Sequence, residues 1–294
     1  MTLEFLFDQF CKERTYIKNS SPHTIAFYQR SFKTYQKVLS ETVDRESPFG
    51  RDGLPTKHIL KDFVTGMRER GIKPVTCNTH IRGMNSFLTW LHENDYIPEN
   101  LKIKQLKCEQ KVMSFFSDQQ LRAIVGYKPK SASETRIWTV VLLCLDTGLR
   151  IDEALTLQRS KLDFDNLLLT VRGKGNKERT LPFSIEMRKH LFKLARSHSF
   201  DYIFCSRTGS KLMYDNCRRN FKLLLSKLGI EVEGSFHVLR RTFARNYVRS
   251  GGNLFYLMKF LGHTTLTMSR RYVELETEDL QRSHQQLSPL SRMR

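Results

Sequence analysis

Apolar residues at three- and four-residue steps run through most of this 294-residue chain. That spacing restricts it to a chiefly helical fold, because it gathers apolar side chains on one face of a helix and of no other regular structure. Ile25, Tyr28, Phe32, Tyr35 and Leu39 form one such face, behind a Ser21-Pro22 start signal. After Pro74, Ile81, Met84, Leu88 and Leu91 form another. Polar stripes fall elsewhere on the same helices: Arg30, Lys33 and Lys37 on the first, and Asn78, Arg82, Asn85 and Thr89 on the second. Residues 1–100 therefore read as helices joined by turns. Further helices are predicted over 117–126, 134–147, 184–196, 213–228 and 237–250, the first of them entered through a Ser117 cap.

Between 160 and 183 the period changes to short β-rich runs. Asp165-Asn166 and Gly173-Lys174-Gly175-Asn176 are turn signals, so a small three-stranded antiparallel sheet is expected inside a helical domain. The length exceeds one ordinary core, and the charged, aperiodic stretch 100–114 divides it. The expected layout is a helical unit over 1–104, a linker over 105–116, a second unit over 117–276 and a tail over 277–294.

Lys and Arg number 49 against 30 Asp and Glu, a net charge of +19, most of it beyond residue 107. Such an excess points to a polyanion partner, most simply nucleic acid. The six cysteines are scattered without a CxxC pair or metal-ligand spacing, which fits a reducing compartment. The apolar run from Trp138 ends at Leu145, well short of the roughly 20 residues of a membrane helix. The start, MTLEFLFDQF, carries acids rather than a basic leader. A cytoplasmic protein without membrane association is expected.

Several polar residues break the apolar pattern. Arg150 follows the Gly148 helix end in TGLRIDEALTL, Lys174 sits in the turn of VRGKGNKERTLPF, and His237 and Arg240 lie three apart in HVLRR. His263 follows a glycine in LGHTT, and Tyr272 lies nine residues later in RRYVE. In order and spacing these motifs resemble the tyrosine recombinase (phage integrase) family, in its Xer-like or transposon-type forms. The resemblance runs over nearly the whole chain. It implies a mainly α fold with a small antiparallel sheet: an N-terminal helical core-binding (SAM-like) domain and a C-terminal α+β catalytic domain, closing as a C-shaped clamp on DNA. It further implies that Arg150, Lys174, His237, Arg240, His263 and Tyr272 are catalytic and that Glu153 supports Arg150. Arg30, Lys33, Lys37, Asn78, Arg82, Lys177 and Arg241 are candidate DNA contacts.

These residue types suit strand cleavage. The transition state gathers charge on the nonbridging phosphate oxygens, and arginine meets it with a permanent charge and paired donors. A tyrosine hydroxyl, with a pKa near 10, needs neighbouring cations and a base such as His237 to become a nucleophile. By resemblance, the product is a 3′-phosphotyrosyl link with a free 5′ hydroxyl, Lys174 (with Lys177 as second choice) being the general acid. That link conserves the bond energy, so no cofactor and no metal are implied. The partners implied are double-stranded DNA with specific core sites and further copies of the chain, as a tetramer on two duplexes in which the tail docks on a neighbour. The alternatives are a type IB topoisomerase-like relaxing activity and a noncatalytic DNA-binding relative.

Overall fold

A computed structural model describes residues 2–42, 54–109, 113–173, 178–232 and 234–263, with the single residues 265, 284 and 288. Lys174, Lys177 and Tyr272 lie outside the described residues. The chain forms two compact units, Met1–Lys111 and Val112–Arg294.

The first unit holds helices α1 (Leu3–Tyr16), α2 (Pro22–Thr42), α3 (Lys57–Glu69) and α4 (Pro74–Glu93). Thr2 and Thr56 cap α1 and α3 by accepting from the amides of Phe5 and Ile59, and Ser21 accepts from Thr24 at the start of α2. Each satisfies an amide that has no partner within its helix. The expected apolar faces of α2 and α4 meet in an aromatic core. Phe32 stacks on Phe7 with ring centroids 4.0 Å apart, and Phe87 meets Phe7 edge-on at 5.2 Å.

Asn78 and Asn85 do a different job from their neighbours in the polar stripe. The Asn78 amide donates to the Leu106 carbonyl at 2.9 Å and accepts from the Leu106 amide at 2.7 Å. Asn85 makes the same pair of bonds to Ile103, at 2.9 and 2.8 Å. The two side chains thus imitate a neighbouring strand for an extended segment that has none. Leu101 is buried and Ile103 and Leu106 pack on the core, so the charged stretch after residue 100 is held to the first unit through at least Leu106. Asn78, expected among the DNA contacts, is buried and turned to this segment. Arg30, Lys33, Lys37 and Arg82 are exposed.

In the second unit the elements are α5 (Asp118–Val125), α6 (Ala132–Thr147), α7 (Ile151–Leu155), β1 (Leu162–Asp163), β2 (Leu168–Arg172), β3 (Glu178–Pro182), α8 (Ile185–Arg196), α9 (Tyr214–Lys227), α10 (His237–Arg249) and α11 (Leu254–Leu261). Ser117 and Gln120 form a capping box that opens α5. The sheet is antiparallel in the order β1-β2-β3, with Leu162 opposite Leu169 and Arg172 opposite Glu178. In the first hairpin the Asp163 carboxylate accepts from the amides of Asp165 and Asn166, while the left-handed backbone falls on Leu167, at φ 57°. Helix α6 runs through the core, with Val140, Val141 and Leu143 fully buried. Its end therefore emerges at a fixed place beside α10, and that place becomes the site.

Candidate active site

Helix α6 stops at Gly148, whose φ of 67° is left-handed. A Cβ there would lie 2.4 Å from the Phe243 ring and 3.0 Å from Leu261, so glycine is required both by backbone conformation and by space. The reversal makes Arg150 the residue that opens α7. Its backbone amide donates to Glu153 Oε2 at 2.8 Å and its guanidinium to Oε1 at 3.1 Å. Glu153 is 5% exposed and has a second, stronger partner. Arg179 on β3 donates through both terminal nitrogens to the two carboxylate oxygens, at 2.8 Å each. Burial pushes the Glu153 pKa up, but the Arg179 hydrogen bonds and charge, with help from Arg150, outweigh it and hold the carboxyl below its ordinary value.

Arg240 on α10 is 4% exposed. It donates to the Gly148 carbonyl at 2.8 Å, where α6 ends, and to the Leu261 carbonyl in the last turn of α11. Both carbonyls carry the negative end of a helix dipole, which favours a cation between them. Helix α11 then stops at Gly262, left-handed at φ 59°, and delivers His263 against Arg240, with Nε2 3.1 Å from Nη2. A guanidinium can only donate, so Nε2 accepts and the His263 proton sits on Nδ1. Burial and the charges of Arg240, Arg150 and Arg179 lower the His263 pKa to about 4. His237, one turn before Arg240 on the same helix, is lowered as well, by desolvation and then by Arg240, Arg241 and Arg150, with Asp152 opposing. Both imidazoles are neutral at pH 7.

The structure thus brings Arg150, Glu153, His237, Arg240 and His263 together from α7, α10 and the end of α11. The strands β2 and β3 flank 173–177, the segment that carries Lys174 and Lys177. Arg179 was not foreseen. Its sequence signal is parity: in β3 it shares the inward side with buried Leu181, while Glu178, Thr180 and Pro182 point outward. An arginine at an inward position demands an acidic partner, and that partner lies 26 residues away. Among the described residues no group of three or more His, Cys, Asp and Glu side chains is placed to hold a metal ion. No described helix is long and apolar enough to cross a membrane.

Residues 114–279 match the family model described as "Phage integrase family". The tyrosine recombinase XerC of Pediococcus pentosaceus is 25% identical over 99% of both chains. A putative integrase of Pseudomonas phage Pf1 is 30% identical over 74% of this chain and 63% of that protein. Among solved structures, the Tn1549 transposon integrase in complex with circular intermediate DNA superposes with a TM-score of 0.77 at 19% identity, covering 97% of this chain and 99% of that one. With Arg150, Glu153, His237, Arg240 and His263 gathered at one site and the family match spanning more than half of its length, the chain belongs to the phage integrase family.

Proposed function

We infer that this chain is a tyrosine site-specific recombinase that cleaves and rejoins double-stranded DNA. The observation that carries the reading is the pair of arginines, Arg150 and Arg240, held beside two neutral histidines in a protein of charge +19. The guanidinium groups bind the nonbridging oxygens of the scissile phosphate, where charge builds in the transition state. Glu153 orients Arg150. Neutral His237 accepts the proton of the Tyr272 hydroxyl as that oxygen attacks phosphorus. The bond to the 5′ oxygen breaks, and Lys174 (or Lys177) supplies the proton that the leaving oxygen takes up. His263, with its proton on Nδ1, donates to the phosphate. The product is a 3′-phosphotyrosyl link and a free 5′ hydroxyl, and the reverse sequence on a new 5′ hydroxyl rejoins the strand.

The helical first domain, extended by the segment that Asn78 holds through Leu106, and the basic residues Arg30, Lys33, Lys37, Arg82 and Arg241 hold the DNA backbone, and the rest of the linker expected over 105–116 joins it to the catalytic domain 117–276. The working form is a tetramer on two duplexes, with the 277–294 tail of each subunit docked on its neighbour, acting in the cytoplasm on specific core sites. The test is Tyr272→Phe on a nicked duplex that traps covalent adduct. Wild type forms a protein–DNA adduct stable to denaturant and the variant forms none. Persistence of the adduct in Tyr272→Phe sinks the assignment of the nucleophile. Relaxation of supercoiled plasmid without exchange between two sites points instead to a topoisomerase.

A further inference from the structure

Arg179 has three attachments, and each leads to a different part of the site. Its terminal nitrogens grip both oxygens of Glu153 at 2.8 Å, which fixes the plane of the carboxylate that Arg150 in turn contacts through its own amide and guanidinium. Its Nε donates to the Phe260 carbonyl at 3.3 Å, in the last turn of α11. Its guanidinium also lies against the Gly262 turn: a Cβ on Gly262 would come within 3.2 Å of Cζ, Nε and Nη1. One residue beyond that turn is His263, in contact with Arg240. On its own strand, Arg179 follows Glu178, the partner of Arg172 across the base of the 173–177 segment. The side chain is 16% exposed. It faces inward toward these groups.

We propose that Arg179 is a positioning residue for strand cleavage: it sets Arg150 through Glu153 and sets His263 through the end of α11, without itself touching the phosphate. The proposal rests on the recombinase reading above. Lysine cannot replace it, because a single ammonium cannot span two carboxylate oxygens and a carbonyl in one plane. The consequence is a clamp of intact charge in a slightly wrong place. A misplacement of about 1 Å costs on the order of 100-fold in rate.

The test uses full-length wild type, Arg179→Lys, Arg179→Met and Glu153→Gln, with the duplex that wild type captures covalently from a randomised pool. Failure of wild type to capture any duplex sinks the recombinase reading and this proposal with it, whereas every other result is read on a wild type that cleaves. If wild type captures DNA, Arg179→Lys binds the same duplex within about 3-fold of the wild-type Kd, while its single-turnover cleavage is slower by about 30- to 100-fold. With a neutral methylphosphonate at the scissile position the clamp has less charge to meet, so the gap between wild type and Arg179→Lys shrinks to a few-fold. The double variant Arg179→Lys/Glu153→Gln loses less than the two single losses combined, because the route through the Glu153 carboxylate is shared and only the route through the end of α11 is additional. Wild-type cleavage by Arg179→Lys, a gap unchanged on the methylphosphonate, or additive losses in the double variant overturns the proposal. So does a failure of both Arg179 variants to fold, which would make the residue structural only.

Discussion

Replacing Glu153 by Gln changes one atom and tests the electrostatic centre of the second unit. The carboxylate accepts four donors: two from Arg179 at 2.8 Å, the Arg150 amide at 2.8 Å and the Arg150 guanidinium at 3.1 Å. In Gln one oxygen becomes an NH2, so the two donors on that side lose their acceptor and face another donor. Hydrogen bonds to charged groups contribute about 1.5–3 kcal/mol each, so two of them give a gross loss of about 3–6 kcal/mol. Gln recovers part of this because an amide is easier to bury than a carboxylate at 5% exposure. Arg150 is about a third exposed, and its share is further reduced by solvent screening. The net expectation is about 3 kcal/mol, in line with breaking one side of a buried pair, or about 6–12 °C in the melting temperature of a unit this size.

The loss also has a pH signature. Because the Glu153 pKa is held below its unfolded value, its contribution is complete above roughly pH 4.3 and disappears as pH falls through the lower folded value. Melting curves of wild type and Glu153→Gln should therefore lie far apart at pH 7 and converge in acid. Replacing both Glu153 and Arg179 by Met should restore most of the stability, since it removes the stranded charge along with its partner, and should not restore cleavage. A difference below about 1 kcal/mol at pH 7, or one that does not narrow in acid, would refute the account of Glu153 as a charge held by Arg179.

Two further outcomes follow from the same structure. Tyr35 is fully buried between Phe32 and Phe63, and its hydroxyl has no hydrogen-bond partner among the described residues; Tyr35→Phe should stabilise the first unit by about 1 kcal/mol in urea denaturation, and a loss of stability would show that the hydroxyl is satisfied. His237 titrates below its ordinary 6.5, so it stays neutral to lower pH than a free imidazole, and adduct formation should hold its rate from pH 8 down to about 6.5 before declining; a decline centred above pH 7 in wild type and absent in His237→Ala would contradict this.

Much of the architecture was readable in the sequence because helix period, caps and turn residues are local. The faces of α2 and α4, the Ser117 cap and the change of period at 160–183 each need only a few neighbouring residues to declare themselves, and all appear in the structure. Gly148 could be seen as a helix end for the same reason, whereas α11 (Leu254–Leu261), the helix that Gly262 ends, was not among the helices expected from the sequence. The motif residues stood out because charged and polar groups interrupt apolar runs, though their roles came from the family resemblance. Asn78 shows where local reading stops: its stripe is polar by pattern, yet its amide is committed to the backbone of Leu106, 28 residues on.

What the sequence alone determined is therefore the longer helices, the small sheet and the residues able to do phosphate chemistry, while the short helices α7 and α11 beside the site were seen only in the structure. Tertiary structure decided which of those residues meet. Arg240 bridges carbonyls that lie 92 and 21 residues away along the chain, and Arg179 finds Glu153 across 26. Such pairings depend on where the buried α6 core places the ends of α6 and α11. A charge buried in a protein must find its partner in space, and neither period nor composition records which one it finds.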